Sequence, residues 1–329
     1  MTDPLLVVVV AVALAFDFTN GFHDTANYVA TWVGTRALSP RLAVAVAAAA
    51  NLAGAFVTTA VAKTVGAGII DTGLATEETL LAALIGAITW NLVTWWLGLP
   101  SSSTHALIGG LIGAAIVQSG YKGVQWHGVV EKVVVPGLTS PVIGFVLAFV
   151  LLALIYRFFF RAPPGVAFRG FRYGQLASGT WVAFTHGAND AQKTMGVIAL
   201  ALYTHGTIDE FYIPDWVKVA AGITIAAGTY AGGWRIIRTL GQRIYKMQPE
   251  HGFAAQIAAG TTLWTGTHYG FPISTTQVVT GSVMGAGAVR RFSAVRWGLA
   301  GNIAVAWVLT LPAAGLVAAA LYYPVAAIF

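Results

Sequence analysis

The sequence contains no cysteine, which excludes a disulfide framework, thiol chemistry and any Cys-based metal site. Charge is scarce as well. Asp, Glu, Lys and Arg make up 9% of the chain, against roughly a quarter of an average soluble domain, so there is no room for a separate soluble domain. The seven histidines form no HExxH or similar metal-ligand spacing, and no nucleophile–base pair stands out. A metal-dependent intramembrane hydrolase is therefore disfavoured, and the chain is read as non-enzymatic with no resident cofactor. The first apolar run, residues 4–15, lacks a basic leader and continues into a polar motif, so it is read as a retained helix and not as a signal peptide.

What is abundant is apolar: hydrophobic residues make up 57% of the chain. The runs suffice to cross a bilayer about ten times at roughly 20 residues each, which predicts an all-α, multi-pass protein of a cytoplasmic (inner) membrane. The net charge of +6 raises a nucleic-acid partner, but its placement argues for the lipid bilayer instead. Basic residues cluster at Arg36 and Arg41; at Arg157, Arg161, Arg169 and Arg172; at Arg235, Arg238, Arg243 and Lys246; and at Arg290, Arg291 and Arg296. Acidic residues occupy other loops, at Asp71, Glu77, Glu78, Asp209, Glu210 and Asp215. The positive-inside rule produces that segregation.

One polar motif is written twice, as Thr19-Asn20-Gly21-Phe22-His23-Asp24-Thr25-Ala26-Asn27 and as Thr185-His186-Gly187-Ala188-Asn189-Asp190-Ala191-Gln192-Lys193, at an offset of 166 residues. Long helices are expected over about 4–32, 41–68, 128–156, 174–203, 216–241 and 296–323. Two shorter pairs, within 80–119 and 254–289, break at Pro100 and Pro272 and read as re-entrant hairpins. Broken backbone at membrane depth is tolerated only against protein or a wet cavity; two ordinary spans with a polar turn are the alternative. Pro100 to Ala114 aligns with Pro272 to Ala286, and Thr139, Pro141 and Gly144 align with Thr310, Pro312 and Gly315. The expected organisation is a first repeat over 1–156, a cytoplasmic linker over 157–173 and a second repeat over 174–329. An odd number of crossings per half inverts the second repeat. Placing the N- and C-termini outside puts every clustered basic residue in the cytoplasm and every acidic one outside.

Ionisable residues at membrane depth are expensive and usually functional. Asn20, Asp24 and Asn27 share one helix face, with Asp17 a heptad earlier; His186, Asp190 and Lys193 share the matching face, beside Asn189. Carboxylate and amide oxygens suit hard cations, so Asp17, Asp24, Asn27, Asn189, Asp190 and Lys193 are the candidate cation or proton-coupling residues. Interhelical polar glue is the bland alternative. His23 and His186 are candidate proton carriers or simply bonded core histidines. At the hairpin tips, Ser101, Ser102, Ser103 and Thr104, with Ser274, Thr275, Thr276 and Gln277, precede helices. Hydroxyls together with helix N-termini make an anion site, and plain capping is the alternative.

The two motifs, with the Pro-Ser-Ser-Ser-Thr-His and Pro-Ile-Ser-Thr-Thr-Gln tips, resemble the signatures of the inorganic phosphate transporter (PiT) family over nearly the whole chain. The resemblance implies an inverted-repeat secondary transporter for inorganic phosphate, cation-coupled and homodimeric. It places phosphate on Ser101 to Thr104 and Ser274 to Gln277, and the cation or metal on Asp24, Asn27 and Asp190. Sodium-coupled members typically end both motifs in Asn. Here the second ends in Lys193, whose ammonium would fill the space and supply the charge of a bound cation. The Asp-Ala-Gln-Lys ending is similar to bacterial low-affinity members, which implies proton symport of phosphate or a divalent metal-phosphate. Asp17, Asp24, Asp190 and HPO₄²⁻ outweigh Lys193 by four charges, so a co-bound cation is required; sodium stays open as its identity. An oxyanion channel is the rival from another class, and paired aspartates at midplane argue against it.

Overall fold

A computed structural model of the chain describes residues 3–161, 163–239 and 247–329. Among these, the one β feature is an isolated bridge between Ile70 and Val124; the rest of the regular structure is helical. In chain order the helices are α1 (Pro4–Asp24), α2 (Ala26–Gly34), α3 (Pro40–Gly54), α4 (Ala60–Ala67), α5 (Glu77–Leu97), α6 (Ser103–Ser119), α7 (Trp126–Val129), α8 (Val135–Phe159), α9 (Pro164–Thr204), α10 (Asp215–Ala231), α11 (Trp234–Arg238), α12 (Pro249–His268), α13 (Thr275–Ala288) and α14 (Trp297–Ile328). A π-helical turn over Val130–Val134 joins α7 to α8.

Four helical segments among the described residues are long and apolar enough to cross a membrane: Pro4–Gly34, Glu77–Leu97, Trp126–Phe159 and Trp297–Ile328. The chain is thus an all-α, multi-pass membrane protein. The ten or so membrane-entering helices expected from apolar runs are a finer statement than these four. Helix α9 is long enough at 41 residues, about 60 Å at 1.5 Å per residue, but its middle carries the second polar motif.

Several boundaries differ from expectation. The helix expected over 4–32 is interrupted only at Thr25, whose backbone stays helical and whose N–H still reaches Gly21 O at 3.1 Å. The segment 41–68 is two helices with a gap at 55–59, and 216–241 stops at Gly232-Gly233 before α11. The end of the latter, with Arg243 and Lys246, lies outside the described residues. Most of the expected linker is helix, because α8 runs to Phe159 and α9 begins at Pro164; Pro at the first helical position is preorganised for a start.

Both expected breaks, at Pro100 and Pro272, separate paired helices, by one local recipe used twice. Gly98 (φ 68°) ends α5 and Gly270 (φ 72°) follows α12; that left-handed conformation costs only glycine nothing. Leu99 N–H and Phe271 N–H then return to Thr94 O and Gly266 O at 2.9 and 2.8 Å, a common helix ending. Pro100 and Pro272 prevent continuation. Ser102 and Ser274 cap the next helices, accepting from His105 N–H at 3.1 Å and Gln277 N–H at 3.3 Å.

The helices pair across the two halves of the chain. α1 packs along α10, α9 along α3, α6 along α14 and α13 along α8. Glycines set each approach at corresponding positions. Gly21 abuts Ile225 O and Gly187 abuts Asn51 O; Gly113 abuts Gly315 O and Gly285 abuts Phe145 O. Small residues let backbones approach closely where lipid leaves no hydrophobic drive between helices.

Two apolar clusters result. One gathers Phe16, Leu84, Leu107, Leu111, Ile198 and Ile225; the other gathers Tyr28, Trp32, Leu152, Val182, Leu263 and Val278. α9 runs through both, and the polar motifs lie between them.

Candidate functional site

The site is a buried polar layer. Asp17, His23, Asp24, Asn27, His186, Asn189, Asp190, Lys193, Ser101 to Thr104 and Ser274 to Gln277 are each at most 4% exposed, so this conformation is closed to both faces. α1 and α9 bring the aspartates together, and the hairpins α5–α6 and α12–α13 bring their hydroxyls onto those aspartates.

Asp24 Oδ1 lies 2.8 Å from His23 Nδ1 and accepts from Thr276 Oγ1 at 3.2 Å. Ser103 Oγ lies 3.1 Å from Asp24 Oδ2 and 2.6 Å from Asn20 Oδ1, dividing one proton between them. Asp190 Oδ1 accepts from Thr275 Oγ1 at 3.2 Å; its Oδ2 accepts from Lys193 Nζ at 2.8 Å and from Asn20 Nδ2 at 3.3 Å. Each aspartate therefore takes a hydroxyl from the hairpin of its own half, Ser103 or the equivalent Thr275. Lys193 also donates to Thr104 Oγ1, and Asn27 Nδ2 donates to Thr276 Oγ1 at 3.0 Å, so the last residue of each motif reaches the hairpin of the other half.

The histidines hold Asp24 from two sides. Asn51 Nδ2 donates to Tyr28 Oη at 3.0 Å and Ala47 O at 3.2 Å, so Asn51 Oδ1 accepts from His186 Nδ1–H at 2.6 Å. His186 Nε2 is left between Asp24 Oδ2 (3.7 Å) and Asp190 Oδ2 (3.6 Å), buried and without a hydrogen-bond partner. For His23, Ser101 Oγ donates to Thr94 Oγ1 at 2.7 Å and Thr94 donates to Trp90 O at 2.9 Å. His23 Nε2 lies 3.3 Å from each of the two hydroxyl oxygens. With Nδ1–H donating to Asp24 Oδ1 at 2.8 Å, Nε2 is the ring's acceptor and faces those two hydroxyls.

Of the expected cation ligands, Asp24 and Asp190 meet at His186, with ligand atoms within 4.8 Å of one another, and the Asn27 amide donates to Thr276 Oγ1. Of the hairpin residues, Ser103, Thr104, Thr275 and Thr276 face the charged group. Ser102 and Ser274 cap their helices, Ser101 faces Thr94 and His23, and Gln277 Nε2 lies 3.3 Å from His105 Nδ1. Asn189 Nδ2 braces the second hairpin through Thr267 Oγ1 (2.8 Å) and Phe271 O (3.1 Å). Asp17 Oδ1 accepts from Thr194 Oγ1 at 3.0 Å, and its Oδ2 is buried without a partner.

Sequence reasoning missed the supports. Asn51, Thr94 and Tyr28 position the histidines, and Gln192 Oε1 caps α4 through Val61 N–H and Ala62 N–H at 2.8 and 3.1 Å. Asn51, alone in an alanine-rich run, was the one visible signal. The first motif helix is interrupted at Thr25 alone, and the wider backbone gaps fall in the helices packed beside the motifs.

A duplicated, buried layer of paired aspartates and hairpin hydroxyls inside a helical membrane protein defines a transport protein, not an enzyme. The family described as Phosphate transporter family matches residues 20–169 and 162–318, and this chain belongs to it. It is 51% identical to a probable low-affinity inorganic phosphate transporter of Mycobacterium bovis, over 97% of this chain and 77% of that protein. It is 41% identical to one described likewise from Bacillus subtilis, over 99% and 98%. A solved structure of the sodium-dependent phosphate transporter superposes with a TM-score of 0.91 at 26% identity, covering 99% of this chain and all of that one.

Proposed function

We propose that this chain is a secondary-active importer of inorganic phosphate in the cytoplasmic membrane, taking up phosphate together with a cation. The observation that carries the reading is the contact between the two chemistries: tip hydroxyls donate to each motif aspartate, from both tips to Asp24 and from the second tip to Asp190, in a closed layer. Phosphate oxygens accept the same hydroxyl protons, so phosphate and a charge-balancing cation enter as one unit. Ser103, Thr104, Thr275 and Thr276 are the phosphate-facing residues; Asp24 and Asp190 answer for the cation. The reciprocal glycine contacts support two related repeats; the segregation of basic and acidic loops supports their inversion with both termini outside, and one unit would move against the other.

Two readings of the coupling ion each have a supporting observation. Proton symport is favoured by the hydrogen bond between His23, a residue type that can carry a proton, and Asp24, and by the ammonium of Lys193 against Asp190. Sodium symport is favoured by the sodium-dependent neighbour of the same fold. His186 Nε2 between two carboxylates also suits a divalent cation carried as metal-phosphate.

Uptake of labelled phosphate by the reconstituted protein tests the function. Asp24→Asn should abolish uptake in protein that inserts normally; normal uptake by both Asp24→Asn and Asp190→Asn sinks the site. Collapsing the proton gradient at fixed sodium, and removing sodium at fixed pH gradient, separates the coupling ions.

A further inference from the structure

The repeat breaks at its most highly charged point. In one half Thr276 Oγ1 donates directly to Asp24 Oδ1 and accepts from the neutral amide of Asn27. At the equivalent positions of the other half, the ammonium of Lys193 donates to Thr104 Oγ1 and pairs with Asp190 Oδ2 at 2.8 Å. Asn27 and Lys193 correspond at an offset of 166, and Thr104 and Thr276 at 172. The ammonium is thus the cross-half link between a hairpin threonine and a motif aspartate that, in the other half, touch directly.

A buried carboxylate without a counter-charge is strongly disfavoured. Lys193, 1% exposed and among the largest fully buried side chains, gives Asp190 a permanent counter-charge on a covalent tether. Asp24 has no such partner. Its neighbours are hydroxyls and the imidazoles of His23 and His186, at 2.8 and 3.7 Å.

We propose that Lys193 is a tethered counter-ion that does at Asp190 what a mobile cation does at Asp24. Only the Asp24 half then draws its charge from solution, and each phosphate travels with one mobile cation fewer than a symmetric site would take. Lys193 sets the ratio of cation to phosphate. The assignment rests on the transport reading above. With asparagine at 193, Asp190 Oδ2, Thr104 Oγ1 and an amide oxygen would offer hard oxygen ligands to an alkali cation.

The test uses the full chain, purified and in proteoliposomes, as wild type, Lys193→Asn and Asn27→Lys. Lys193→Asn should gain a saturable rise in melting temperature with NaCl, beyond the wild-type response and absent with choline chloride. Its ratio of radioactive sodium to labelled phosphate taken up should rise by one. Asn27→Lys places an ammonium against Thr276 and Asp24, and should lose whatever cation requirement the wild type shows. A monodisperse Lys193→Asn protein with the wild-type sodium response and ratio overturns the proposal. Should that variant fail to fold, Asn27→Lys decides alone: a lost cation requirement supports the proposal and an unchanged one overturns it. A wild type that accumulates no phosphate defeats the transport reading, while sodium-dependent melting of Lys193→Asn still reports the counter-ion separately.

Discussion

At the residue scale the site is governed by charge that water cannot reach. Asp190 and Lys193 lie 2.8 Å apart at 0% and 1% exposure, and removing one partner of such a pair strands the other. A stranded buried charge costs about 3–5 kcal/mol. Asp190→Asn and Lys193→Gln should therefore each lower thermal stability, and the double variant should be more stable than either single one. Melting curves of the four proteins in one detergent measure that coupling; additive losses would show that the pair is not a unit. Asp24 differs because its partners are titratable rings and hydroxyls, so Asp24→Asn should spare stability more than Asp190→Asn does.

At the element scale the helices are positioned by close backbone approach. Gly113 and Gly285 are equivalent positions on α6 and α13, facing Gly315 O on α14 and Phe145 O on α8. A larger side chain at either pushes a hairpin off its partner helix, and overpacking of this kind costs about 1–3 kcal/mol. Gly113→Leu and Gly285→Leu should lower the melting temperature by similar amounts, and each should displace the tip hydroxyls that meet Asp24 and Asp190. Gly120, with open space around it, marks the contrast: its positive φ of 72° makes it a turn residue instead of a packing one. Matching losses at the two equivalent glycines would bear out the reciprocal packing; a loss at only one would confine it to one half.

At the scale of the whole molecule, α9 links the two apolar clusters and passes through the polar layer, and the proposed topology puts its ends on opposite sides of the membrane. The chain has no cysteine, and single reporters need no background removed. A membrane-impermeant maleimide should label Asp209→Cys in intact cells and Arg169→Cys only after permeabilisation; both positions are exposed. The reverse pattern overturns the orientation, and labelling of both from one side means that α9 does not cross.

The sequence alone determined the helical membrane class, the helix breaks at Pro100 and Pro272, the duplicated motifs and most residues of the buried polar layer. It could do so because apolar runs, Gly and Pro punctuation and repeated polar residues are local signals, readable without knowing what lies opposite. Tertiary structure decided the rest. Which residues converge on Asp24 and Asp190 depends on pairing between elements more than 80 residues apart, such as Ser103 with Asn20 and Thr275 with Asp190. Partner choice among Ser101, Ser102 and Ser103 is set by one-residue differences in direction at a turn, which composition does not encode. The gap between α3 and α4 depends on such distant partners too, since Gln192 satisfies the start of α4 from outside. Lys193 was visible as a mismatch in the repeat, but only the fold places its charge between Asp190 and the opposite hairpin.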